Sequence, residues 1–285
     1  MSDVPAFARG LCDDAAVFPP GLAPLADAVP AHRRHRSAPY AALVGPLVLP
    51  ATALDQLHPL LTGTAGPLEV SITAPNGPAQ AAKAVETAAR LPVKVHAVEV
   101  TVPAAMTARD LFRELARIDV PVFVEVPRGE RCGDVIAALA DSGHRAKLRT
   151  GGVRAEMYPD ERELAAAVAS AVEAQVPFKA TAGLHHPVRN TDPETGFHQH
   201  GFLNLLLATD AALCGGAVGD LEGVLAERDK DTVAAAVHDL GEAHAAAVRL
   251  GFLSFGSCCI TEPLTELMGL GLVPSSLLPG KGATA

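Results

Sequence analysis

Short runs of apolar and β-branched residues alternate with amphipathic helical patterns along almost the whole chain, and this alternation is what most constrains the fold. Seven runs read as strands, at residues 41–49, 68–73, 93–102, 120–126, 145–150, 177–182 and 250–255. Their near-continuous apolar character suits strands covered on both faces, as in a parallel sheet flanked by helices. An eighth run, at 15–18, is closed by Pro19, Pro20 and Gly21 and followed by a helical pattern over 25–36. Eight strands alternating with helices predict a (β/α)8 barrel of the TIM type. The rival is an open doubly wound sheet, but no GxGxxG follows the first strand and no Walker-type lysine loop occurs. The length, 285 residues, fits one barrel domain over 1–285 with a short N-terminal extension and a C-terminal tail.

Helix starts are marked by capping pairs. Thr107 with Asp110 precedes Leu111, Leu115 and Ile118 on one face, and Asp160 with Glu163 precedes Leu164, Val168 and Val172. Helices also fit 51–61, 78–91, 134–141 and 232–249, with His244 on the apolar stripe of the last as an expected packing residue. The stretch 201–213 is apolar most of the way round, which predicts a buried helix or a subunit interface and makes a homodimer an expectation.

Composition narrows the partners. Hydrophobic residues make up 49% of the chain, too many for disorder, yet no apolar run reaches the roughly 18 residues of a membrane span. Met1 to Gly10 shows no basic segment leading into an apolar one, so a cytoplasmic protein with no membrane partner is expected. A net charge of −9, no Trp and only two Tyr argue against nucleic acid. The basic cluster His32-Arg33-Arg34-His35-Arg36 is expected to be a solvated helix face. Five scattered cysteines argue against a disulfide framework, and vicinal Cys258-Cys259 reads as a redox or metal element or as two small buried residues.

In a barrel, polar residues at the C-terminal ends of strands are the first candidates for chemistry. Lys147 and Arg149 share one side of their strand by alternation, and inside an apolar barrel they need an anion or a carboxylate. Gly151 and Gly152 follow directly and allow close backbone approach to a ligand. Lys179 opens Lys179-Ala180-Thr181-Ala182-Gly183-Leu184-His185-His186. The chain has only six lysines, at 83, 94, 147, 179, 230 and 281, so two at strand ends suggest chemistry that arginine cannot perform. Gly256 and Ser257 close the last strand and, with Gly183, could offer N–H groups to a phosphate.

Lys179-Ala180-Thr181-Ala182-Gly183 locally resembles the Lys-Thr-Ser-Thr-Gly strand end of class I aldolases of the deoxyribose-phosphate type, matching at Lys, Thr and Gly over five residues. The resemblance implies Lys179 as a Schiff-base nucleophile that needs no cofactor. The strand count puts Lys179 on the seventh strand, whereas that family carries its lysine on the sixth.

Glu69, Glu99 and Glu125 recur at strand positions, and the similar segments around Glu99 and Glu125 suggest that both point into the barrel. They read either as acid–base groups or as counter-ions to Lys147 and Lys179. Asp13 and Asp14 are a further acid–base or ligand option. The cations Arg128, Lys147, Arg149, Lys179 and Arg189 together suggest a small anionic substrate. The leading expectation is a lyase or isomerase acting on a phosphate- or carboxylate-bearing carbonyl compound. In it Lys179 and Lys147 are catalytic, Glu125 or His185 moves protons, and Arg149, Arg128, Gly151, Gly152, Gly183, Gly256 and Ser257 bind substrate. A second reading is a hydrolase or isomerase holding a divalent metal such as zinc on His185, His198 and His200. A third is a barrel that only binds or assembles.

Overall fold

The computed structural model describes residues 3–62 and 66–278, so residues 279–285 of the expected C-terminal tail lie outside the described residues. Seven parallel strands come first: β1 (Cys12–Asp14), β2 (Val44–Pro50), β3 (Leu68–Ala74), β4 (Val93–Thr101), β5 (Val122–Glu125), β6 (Arg145–Arg149) and β7 (Phe178–Thr181). A short antiparallel hairpin follows, β8 (Asn190–Thr191) and β9 (His198–Gln199). The chain then returns through β10 (Phe252–Ser257), which pairs with both β7 and β1 and closes an eight-stranded barrel. The predicted (β/α)8 architecture is the one the chain adopts.

Alternation explains how the strands serve two environments. Val70, Ile72, Val98, Val100, Val122 and Val124 are fully buried in the apolar core. The residues between them, including Ser71, Glu99 and Glu125, turn to the barrel interior. The caps read from sequence form: Thr107 accepts a hydrogen bond from Asp110 N and Asp160 one from Glu163 N, at the starts of helices Ala108–Leu115 and Glu161–Glu173.

The first strand is Cys12–Asp14 rather than 15–18, where residues form a turn closed by Phe18 N to Ala15 O. Asp13 points inward, while Asp14 faces helix Leu25–Ser37 and contacts His32 Nδ1 at 2.9 Å. His32 is therefore buried, and the solvated face expected of the basic cluster holds for Arg34 and Arg36. The helix expected over 232–249 is two, Lys230–Asp239 and Gly241–Gly251, broken where Gly241 takes φ 65°. His244 lies exposed on the second of them, not in the core. Helix Phe202–Leu213 is buried by helices Glu161–Glu173, Val218–Ala226 and Gly241–Gly251 of the same chain, so its apolar surface is used internally. Among the described residues no helix is long and apolar enough to cross a membrane.

One glycine is set by the barrel interior. A Cβ at Gly45 would lie 2.1 Å from Asp13 Oδ1. Gly45→Ala should therefore displace the Asp13 carboxylate and destabilise the fold by about 1–3 kcal/mol in urea unfolding. A loss below about 0.5 kcal/mol would mean that Asp13 moves aside freely.

Candidate active site

The barrel interior carries a chain of alternating charges. Lys179 Nζ donates to Asp13 Oδ2 at 2.5 Å and to Glu99 Oε1 at 2.7 Å. Glu99 Oε2 in turn meets Lys147 Nζ at 3.3 Å. Lys147 Nζ also lies 3.0 Å from Glu125 Oε2, and Glu125 Oε1 accepts from Arg149 Nε at 2.8 Å. Two hydroxyls complete the set: Ser71 Oγ donates to Glu99 at 2.8 Å and Ser254 Oγ to Asp13 at 2.9 Å. Lys179 Nζ sits 5.4 Å from the centre of the Phe123 ring, over its face. Register brings these groups together, since Glu125 pairs with Lys147 across β5 and β6 and Lys147 with Lys179 across β6 and β7.

Three carboxylates face three cations, so the interior balances its own charge. Burial would raise the Glu99 carboxyl, but Lys179, Lys147 and Ser71 outweigh it and lower it to about 2. Glu125 is likewise lowered to about 2, burial being outweighed by Lys147 and Arg149. Asp13 differs: burial pushes its carboxyl up, and Lys179 and Ser254 only partly pull it back. Burial would push the Lys179 ammonium down, but Asp13 and Glu99 more than reverse this and hold it above the ordinary lysine range.

Both lysines are buried, and they differ in their neighbours. Lys179 is 1% exposed and clamped between two carboxylates, a setting that keeps it charged. Lys147, the other lysine named from the sequence, is 5% exposed and likewise lies between two carboxylates, Glu99 and Glu125. Lys147 stands next to Glu125 and Arg149, and the Arg149 side chain, 33% exposed, is where the network meets solvent. The lysine on the sixth strand is thus Lys147.

The loops above bear on the other candidates. Ala182 and Gly183 both take left-handed backbone, at φ 65° and 72°, and Thr150 Oγ1 donates to Ala182 O at 2.6 Å. A non-glycine residue held there is strained. The space left by Gly151 and Gly183 is filled by the Tyr158 ring, and that at Gly152 by Met157. The missing Cβ atoms of these glycines let the Tyr158 and Met157 side chains pack directly against the backbone. Ser257 is buried, and its Oγ donates to Cys259 O at 2.9 Å, capping its own loop. A Cβ at Gly256 would meet only Ala15, in ordinary contact at 3.7 Å. Arg128 lies outside the network, bonded to Glu163 at 2.6 and 2.5 Å, and ties its loop to helix Glu161–Glu173. Glu69 is also outside, paired with Arg36 and Lys94.

No protein-family model matches the chain, and no curated protein sequence does. Among solved structures, it is similar to a monomeric variant of dihydrodipicolinate synthase, with 16% identity and a TM-score of 0.39 over 62% of this chain. That match spans 63% of the synthase variant. It is also similar to an archaeal fructose-1,6-bisphosphate aldolase, whose structure has the catalytic Lys covalently bound to the carbinolamine intermediate. There the identity is 12% and the TM-score 0.41, over 95% of this chain and 94% of that one. Both are distant likenesses.

The histidines expected to share a metal are not gathered. His200 is buried with Nε2 2.9 Å from Pro159 O and Nδ1 3.2 Å from Arg189. Burial and Arg189 lower it to about 4, so the imidazole is neutral and both nitrogens are engaged. His198 turns to Thr191 and Arg228, and His185 Nδ1 lies 3.9 Å from Cys258 Sγ. Burial pushes the Cys258 thiol up, away from a ready thiolate. Arg189 is buried against Glu161 and lines a cavity of about 250 Å³ with Tyr158 and Phe197. Among the described residues, ligand atoms converge instead at His186, Glu262 and Glu266, and at Asp210, Cys214 and His244.

Sequence reasoning missed Ser71, Ser254 and Tyr158. The two serines carried a weak signal, each a hydroxyl flanked by apolar residues, Ser71 by Val70 and Ile72 and Ser254 by Leu253 and Phe255. Tyr158 carried none.

Proposed function

We propose that this chain is a lyase or isomerase acting on a small phosphate- or carboxylate-bearing carbonyl compound by amine chemistry at Lys147, without a metal. One observation carries the reading: Lys147 Nζ stands between Glu99 and Glu125 at the end of the network where Arg149 reaches solvent. In this scheme Lys147 passes a proton to Glu125 and its amine adds to the substrate carbonyl, forming a C–N bond as the carbonyl π bond breaks and its oxygen takes up a proton. Loss of the carbonyl oxygen as water gives an iminium ion. The iminium takes up the electron pair released when a neighbouring C–C or C–H bond breaks, giving an enamine. A proton returned to that carbon restores the iminium, and water adds to it and releases product and Lys147. Glu125 and Glu99, 3.0 and 3.3 Å from Nζ, are the bases within reach of its proton. Arg149 holds the substrate anion, and Lys179 acts as a positioning residue that keeps Glu99 ionised.

Borohydride reduction in the presence of phosphorylated ketones, aldehydes or 2-oxo acids tests this directly. Peptide mapping should find one reduced adduct, on Lys147, and Lys147→Met should abolish it. An adduct on Lys179, or none with any member of the panel, sinks the assignment.

A further inference from the structure

We propose that Asp210, Cys214 and His244 form a binding site for a thiophilic divalent cation of the zinc class, on the helical layer outside the barrel. Asp210 and Cys214 are four residues apart at the C-terminal end of helix Phe202–Leu213, with Cys214 as its cap, so they share one face. Helix Gly241–Gly251 packs against this helix and brings His244 to the same spot. The three ligand atoms all lie within 4.8 Å of one another. His244 Nε2 is 2.6 Å from Asp210 Oδ1, and Cys214 Sγ is 3.8 Å from that oxygen.

Zinc bonds of about 2.0–2.3 Å at tetrahedral angles separate neighbouring ligand atoms by about 3.3–3.8 Å. The sulfur–carboxylate edge already has that length, and the imidazole–carboxylate pair has to open by less than about 1 Å. Thiolate, imidazole and carboxylate are the donors zinc takes, and three protein ligands leave a fourth position for water. On binding, the Cys214 thiol gives its proton to solvent, and His244 carries its proton on Nδ1 so that Nε2 can ligate. A free cysteine is ordinarily among the most buried of residues. Cys214 is exposed and turned towards an imidazole–carboxylate pair. The group His186, Glu262 and Glu266 has no thiolate and serves as the internal control.

The test titrates cobalt(II), a spectroscopic stand-in for zinc, into the reduced, chelator-stripped full-length chain. A single equivalent should bind with a near-ultraviolet sulfur-to-cobalt charge-transfer band, and zinc should bleach it. Cys214→Ser should abolish the band and His244→Ala should weaken binding by on the order of 100-fold. His186→Ala should change neither. All three side chains lie at or near the surface, and circular dichroism checks that each variant folds. The site is refuted by the absence of a band with excess cobalt, by a band that survives Cys214→Ser, or by one lost in His186→Ala.

Discussion

Replacing Lys179 with methionine should cost the protein about 3–5 kcal/mol, the largest loss expected from any single change in the barrel. The ammonium is the sole network cation bonded to Asp13 and one of two bonded to Glu99, and all three groups are buried. Methionine fills a similar volume but leaves a carboxylate at Asp13 with only Ser254 among the network side chains, far from water. An unpaired buried charge of this kind is one of the few mechanisms that destabilise so strongly. Against a total of about 5–15 kcal/mol for a typical domain, the variant would be marginal or unfolded. Urea unfolding of the double variant Asp13→Asn/Lys179→Met keeps the argument testable. Removing both charges should recover much of the loss, because the cost lies in the orphaned carboxylate.

Lys147→Met should behave differently, and the contrast separates architecture from chemistry. Without Lys147, Glu99 keeps Lys179 and Ser71, and Glu125 keeps Arg149. The stability cost should be clearly smaller than for Lys179→Met, while adduct formation is lost altogether. Equal stability costs for the two variants would refute this division between a deep structural lysine and an upper reactive one.

How much of this was legible in the sequence depends on how local the signal is. The central strands were readable because Val70 and Ile72, and Val98 and Val100, recur at alternate positions, the period of a strand with one face packed in the apolar core. Lys147 and Arg149 were readable because strand alternation puts them on one side. β1 was not, since Cys12-Asp13-Asp14 has no apolar run and becomes a strand only by pairing with β2 and β10. The counter-ions could be guessed but not assigned. Asp13 and Lys179 are 166 residues apart, and only barrel closure brings them together. The glycines after β6 were legible only as space: that the Tyr158 ring packs against Gly151 and the Met157 side chain against Gly152 depends on a loop the sequence does not place. The histidines clustered in sequence but dispersed in space, because β8 and β9 carry them away from β7 on a hairpin of their own.

The same network should set the acid limit of the fold. Glu99 and Glu125 are held at about 2 in the native chain, against an ordinary value of 4.5. Their contribution is therefore complete above about 4.5 and is lost as pH falls towards 2, where the unfolded chain binds protons that the native chain refuses. With two such protons the unfolding free energy should fall by up to about 2.7 kcal/mol per pH unit across that window. Asp13 acts in the opposite sense. Burial raises its carboxyl, so the native chain takes that proton first and gains slightly as pH drops. Lys179, raised above the ordinary lysine range, is charged in both states throughout the acid window and contributes no slope there. Urea midpoints measured from pH 6 to pH 2 should show the steep decline below about 4.5, and Glu125→Gln should lower its slope by one proton, about 1.4 kcal/mol per pH unit. An unchanged slope in Glu125→Gln would mean that the acid transition is governed by surface carboxylates rather than by the charges inside the barrel.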